Sequence, residues 1–172
     1  MSPLIELYTA DAVVTGFRVD AAQPRDTLEA GEAIQLAQAE WTPLHRPPDG
    51  RDVADSVPVD EVLAAVVEPD PHRTIHASLH EVVLHSGPYR IRGMLAVHPG
   101  FDPNRALTRP GGRFIPLRSA DLEIVDYPDA GKLHRDALLV NRYAVDRAAS
   151  TLELGFFFPA ARFEPLEHAP VG

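Results

Sequence analysis

The stretch Phe114-Ile-Pro-Leu-Arg-Ser-Ala-Asp-Leu122 repeats an earlier one, Ala33-Ile-Gln-Leu-Ala-Gln-Ala-Glu-Trp41. Ile34 falls on Ile115, Leu36 on Leu117 and Ala39 on Ala120. The acidic-then-apolar ends, Glu40-Trp41 and Asp121-Leu122, coincide as well. From Ala33 to Ala65 the offset is a constant 81 without a gap, and seven of the 33 pairs are identical. The other identities are Pro47, Gly50, Asp55 and Val59 with their partners. Upstream the offset is 77, which places Leu7 on Leu84 and Gly16 on Gly93. Identities that fall on apolar strand positions and turn residues are those a shared fold imposes. The chain therefore reads as two copies of one small β module.

Each copy spells out five strands. In the first these are residues 4–8, 12–19, 33–41, 55–59 and 62–67. The first two form a hairpin. Gly16 interrupts the second strand, as a bulge or sharp bend does. Residues 24–31 read as a connector or a single helical turn, and Pro47-Pro48-Asp49-Gly50 as a turn. In the second copy the strands are 79–85, 89–97, 113–125, 136–140 and 143–148. Glu68-Pro-Asp-Pro-His-Arg73, with two prolines, is the linker between copies. Beyond Ser150 the repeat ends, and 152–158 reads as one more strand stopped by Pro159. The expected organisation is a first module at 1–68, a linker at 69–78, a second module at 79–150, and an extra strand with a tail at 151–172.

Bulk properties narrow the function classes. No cysteine is present, which excludes disulfides, thiolate catalysis and cysteine-ligated metals. The net charge of −9 disfavours general binding to a phosphate backbone. Seventeen prolines in 172 residues suit short strands and stiff loops rather than long helices. No apolar run approaches a membrane span, and no secretory signal is visible at the start, so a cytoplasmic protein without membrane contact is expected.

The second copy carries Ile91, Gly93, Asp102, Asn104 and Leu107 in the order of the Sm-like barrel motif. The first copy keeps Val14, Gly16 and Leu28 of that pattern. With its hairpin, bent third strand and two short closing strands, each module resembles the Sm-like members of the SH3-like small barrels. The resemblance covers about 65 residues twice. It implies an all-β fold of two tandem five-stranded barrels with an extra C-terminal strand and tail. It also implies that Asp102 and Asn104 contact a nucleobase. The family's Arg-Gly step before its last strand is missing, because the corresponding residues are Asp60-Glu61 and Asn141-Arg142.

Basic residues concentrate in the second copy. Arg90, Arg92, Arg113 and Arg118, with Asp102 and Asn104, are the candidate binding residues. His72, His76 and His80 have a spacing of four, which would align three imidazoles on a helix for a metal. The same stretch reads equally as a strand, which separates them from His85. No nucleophile elbow, P-loop, dinucleotide fingerprint or His-Glu-x-x-His motif occurs, and Gly111-Gly112 reads as a turn. The expected function is a non-catalytic binding or assembly module that takes a protein partner or self-associates, with no cofactor. RNA binding through the second copy is the alternative, and a metal protein or enzyme using the 72–85 histidines the second alternative.

Overall fold

The computed structural model describes residues 4–19, 24–31, 33–45, 55–67, 78–97, 112–151, 155 and 157–166. The first copy contributes β1 (Leu4–Tyr8), β2 (Ala12–Arg18), α1 (Pro24–Glu29), β3 (Ala33–Pro43), β4 (Ser56–Pro58) and β5 (Ala64–Val67). The second contributes β6 (Ser78–Ser86), β7 (Tyr89–Val97), β8 (Phe114–Ile124), β9 (Lys132–Asn141) and β10 (Arg147–Ser150). A last strand, β11 (Arg162–Pro165), follows. The chain is all-β, and no helix among the described residues is long and apolar enough to cross a membrane.

The strands hydrogen-bond in the order β11-β10-β6-β7-β8-β9-β5-β1-β2-β3-β4. The sheet is open, with β11 and β4 at its ends among the described residues. The expected pair of closed barrels is thus not formed by these ladders. The physical reason lies in the fourth strands. β4 is three residues long and pairs with β3, while β5 pairs with β1 and β9. The extra C-terminal strand also differs from expectation. It lies at Arg162–Pro165, beyond Pro159, and Phe157 and Phe158 sit buried ahead of it. Residues 152–154 and Phe156 are outside the described residues.

The two copies agree pair by pair. In β2–β3 the partners are Ala12↔Pro43 and Thr15↔Glu40, then, after a register shift, Phe17↔Ala37 and Arg18↔Leu36. In β7–β8 they are Tyr89↔Ile124 and Arg92↔Asp121, then, after the same shift, Met94↔Arg118 and Leu95↔Leu117. Every partner moves by the two sequence offsets. The shift falls at Gly16 and at Gly93, as bulges place it. A Cβ on Gly16 would lie 3.3 Å from Leu36 Cβ and from Ala37 O. One on Gly93 would lie 3.2 Å from Leu117 Cβ and 3.3 Å from Ala120 Cβ. The third strand folds over its own glycine in both copies, and the repeated Leu and Ala are what it packs there. At the bend the backbone turns left-handed, at Gln38 (φ 54°) and again at Ser119 (φ 46°).

Two compact units result. Unit 1 comprises Met1–Arg73, Gly112–Pro116 and Ala137–Asn141. Its core holds Ile5, Leu7, Val14, Ile34, Leu36, Val57, Val59 and Val62, with Leu28 from α1 and Phe114 and Leu139 from the later segments. Burying each such side chain stabilises by about 1.5–3 kcal/mol. α1 starts at Pro24, whose fixed φ suits a first helical position, and gives way to Gly31 at φ 73°. Unit 2 comprises Thr74–Gly111, Leu117–Asp136 and Arg142–Gly172. Val82, Leu84, Tyr89, Ile91, Leu95, Leu122, Ala148 and Phe158 are buried in it.

Candidate functional site

The fifth strand of each copy has the same inner neighbour. β5 meets β1 through Leu7↔Ala65 and Tyr8↔Ala64. β10 meets β6 through Leu84↔Ala148 and His85↔Arg147. The turn before β10 is longer, so these positions correspond at an offset two residues beyond 81. The outer neighbours differ. Ala64 and Ala65 receive Val140 and Leu139 in an antiparallel ladder. Arg147 and Ala148 receive Arg162 and Phe163 in a parallel one.

The β5–β9 ladder is secured by Asn141. Its main-chain N–H donates to Leu63 O at 2.9 Å, and its side-chain Nδ2 donates to Val62 O at 3.1 Å. Asn141 is buried, so both of these bonds are shielded from water. In unit 2, Arg142 is only 2% exposed, and its guanidinium lies over the Tyr143 ring at 5.3 Å from the centroid.

The β10–β11 ladder has lighter support. Arg162 N donates to Asp146 O at 2.9 Å, and Ala161 N to Phe158 O at 3.1 Å. Arg147 and Glu164 approach to 3.6 Å with both side chains about half exposed, a pair worth about 0–1 kcal/mol. All four β11 residues are exposed. Phe158 is the buried anchor behind them.

His85 lies inside this corner. Its Nδ1 is 3.4 Å from Arg147 Nη2. Burial lowers its pKa, the Arg147 and Arg90 charges lower it further, and Glu164 and Asp146 act the other way. The sequence pointed to the other histidines. Of those, His80 sits half-buried on β6, while His72 and His76 lie outside the described residues. Among the described residues no group of three or more His, Asp or Glu side chains is placed to hold a metal ion.

Three of the candidate arginines stand beside carboxylates. Arg90 faces Glu123 at 3.8 Å, and Lys132 approaches the same carboxylate oxygen at 3.8 Å. Arg92 Nε contacts Glu81 at 2.9 Å. Arg113 belongs to unit 1 and pairs with Asp60. Arg118 is half-buried on β8, opposite Met94. Asp102 and Asn104 lie outside the described residues. His134, which sequence reading did not single out, donates from Nδ1 to Asp121 Oδ1 at 2.8 Å. Opposite charges on neighbouring strands thus take up much of the basic charge of the second copy.

No family model, curated protein or solved structure matches this chain.

Proposed function

We propose that the chain is a non-catalytic binding and assembly module, built from a duplicated unit that joins strands edge to edge. The observation that carries this reading is the pair of fifth strands. At equivalent positions both accept a strand from elsewhere in the chain, residues 139–140 in one copy and 162–163 in the other. Main-chain ladders of this kind supply affinity without any catalytic group. Kinship with the Sm-like small barrels belongs to the same proposal. It draws support from the order fifth, first, second, third, fourth strand, which each copy repeats. An RNA-binding role gains little, because Arg90, Arg92 and Arg113 already engage carboxylates and the net charge is −9.

The test is the mass of the full chain in solution across a wide concentration series. Reversible growth beyond one chain is the expected result. A single-chain mass at every concentration, both for the natural chain and after disruption of β11, overturns the reading.

A further inference from the structure

We infer that β11 is a built-in stop, lying on an edge that otherwise takes the fourth strand of a second copy of this chain. The inference rests on the strand-joining reading above and names its partner. Its starting point is the chain's own example. Where no tail strand intervenes, the fifth strand pairs with a fourth strand: Ala64 and Ala65 take Val140 and Leu139. The equivalent edge, at Arg147 and Ala148, is occupied by Arg162 and Phe163 of β11 instead. The other fourth strand of the chain, β4, stands at the opposite end of the hydrogen-bonded order. One molecule thus carries a fifth-strand edge at one end and a fourth strand at the other. A contact joining the two is head-to-tail, and it leaves the same two ends open for the next copy.

The local chemistry makes this contact weak. By the repeat, Pro58 stands where β9 has Leu139, and Asp60 where it has Asn141. Asn141 N bonds to Leu63 O, so two residues along the antiparallel ladder the N–H of Leu139 also faces β5. Proline has no N–H to offer there. Asp60 cannot donate as the Asn141 amide does to Val62 O. A four-residue, exposed strand with its main-chain ladder and one half-exposed ion pair is therefore enough to compete. Short edge strands and edge prolines are recognised devices against uncontrolled pairing. Here each end carries one, Pro58 on β4 and β11 over β10.

The experiment compares the full chain with Arg162→Pro, which removes the β11 N–H that donates to Asp146 O while leaving Phe158 in place. Glu164→Arg, which breaks the pair with Arg147, serves as the gentler second variant. Sedimentation velocity across concentration is the readout. The expected result is half-association at roughly tenfold lower concentration for Arg162→Pro. A further shift is expected when Pro58→Leu and Asp60→Asn are added. A synthetic peptide of residues 157–166, supplied in trans, should return Arg162→Pro to the natural behaviour. If the natural chain and all variants remain single chains, the assembly reading itself falls. If all associate equally, that reading stands and the stop is overturned. Association of Arg162→Pro that the peptide leaves untouched also overturns the stop, because another surface is then responsible.

Discussion

The carboxylate of Glu29 accepts the main-chain N–H of Arg113 at 2.5 Å, across 84 residues of sequence. A second N–H, from Phe114, reaches its other oxygen at 3.1 Å. The last residue of α1 thereby fixes the start of β8 within unit 1. Gly112 completes the clasp. Its φ is +96°, and a Cβ there would lie 2.6 Å from Glu29 Cδ. Only glycine combines that backbone with that approach.

Glu29→Ala should therefore destabilise the chain by about 1–3 kcal/mol, since two part-buried donors lose a charged acceptor. Glu29→Gln should cost less. Gly112→Ala should match or exceed the loss in Glu29→Ala. Urea titrations of the three variants check the order, and an unchanged midpoint for Gly112→Ala contradicts the clasp.

The bulge glycines make a paired prediction. Gly16→Ala and Gly93→Ala each place a methyl against the third strand of the same copy, at 3.2–3.3 Å from the nearest heavy atoms. Overpacking of about 1–3 kcal/mol outweighs the fraction of a kcal/mol gained from reduced chain entropy. Valine at either site should be worse than alanine. Thermal melts test this, and stabilisation by either alanine refutes it.

Asn141 is the next test. Asn141→Leu keeps the branched shape but removes the bond to Val62 O, leaving a buried carbonyl short of a partner. A loss of about 1–3 kcal/mol is expected. Amide exchange should rise at residues 63–65. Full protection there shows that the ladder does not need the side chain.

Stability should depend on pH through His85. Its pKa in the folded chain lies below the ordinary 6.5. Between those two values the unfolded chain binds more protons. Stability is therefore highest above pH 6.5, and this contribution is lost progressively as pH falls towards the folded value. His85→Gln should flatten the profile in that window. An identical slope in the variant places the titration elsewhere.

Much of the module was legible because it depends on local pattern. Gly16 and Gly93 marked the bulges, and the repeated Leu36/Leu117 and Ala39/Ala120 marked what the bent strand packs against. The neighbours of each edge were not legible. Nothing in Ala64-Ala65 says whether the outer partner is β4 or residues 139–140, because ladder bonds are made by the main chain that every residue shares. The constant offset misled after Val59. A tight 3₁₀ turn at Val59–Glu61 follows β4, whereas β9 runs on to Asn141 before the chain turns. The fifth strand of the second copy accordingly falls at Arg147–Ser150 rather than 143–148. Glu29 escaped notice because one carboxylate in a connector has no pattern, and its partners are main-chain groups far along the sequence. Sequence counts the arginines of the second copy but not their partners, and the ladders place Arg90 opposite Glu123.

The make-up of unit 1 bears on how the protein is born. Phe114 and Leu139 are part of its core, yet a ribosome delivers them long after residue 73. The first copy must leave the exit tunnel with its core incomplete and the outer edge of β5 bare. It waits until the segment ending at Asn141 emerges. Pairings this distant are slow to close. The interval before they form is when the nascent chain is most exposed to neighbouring polypeptides and to chaperones.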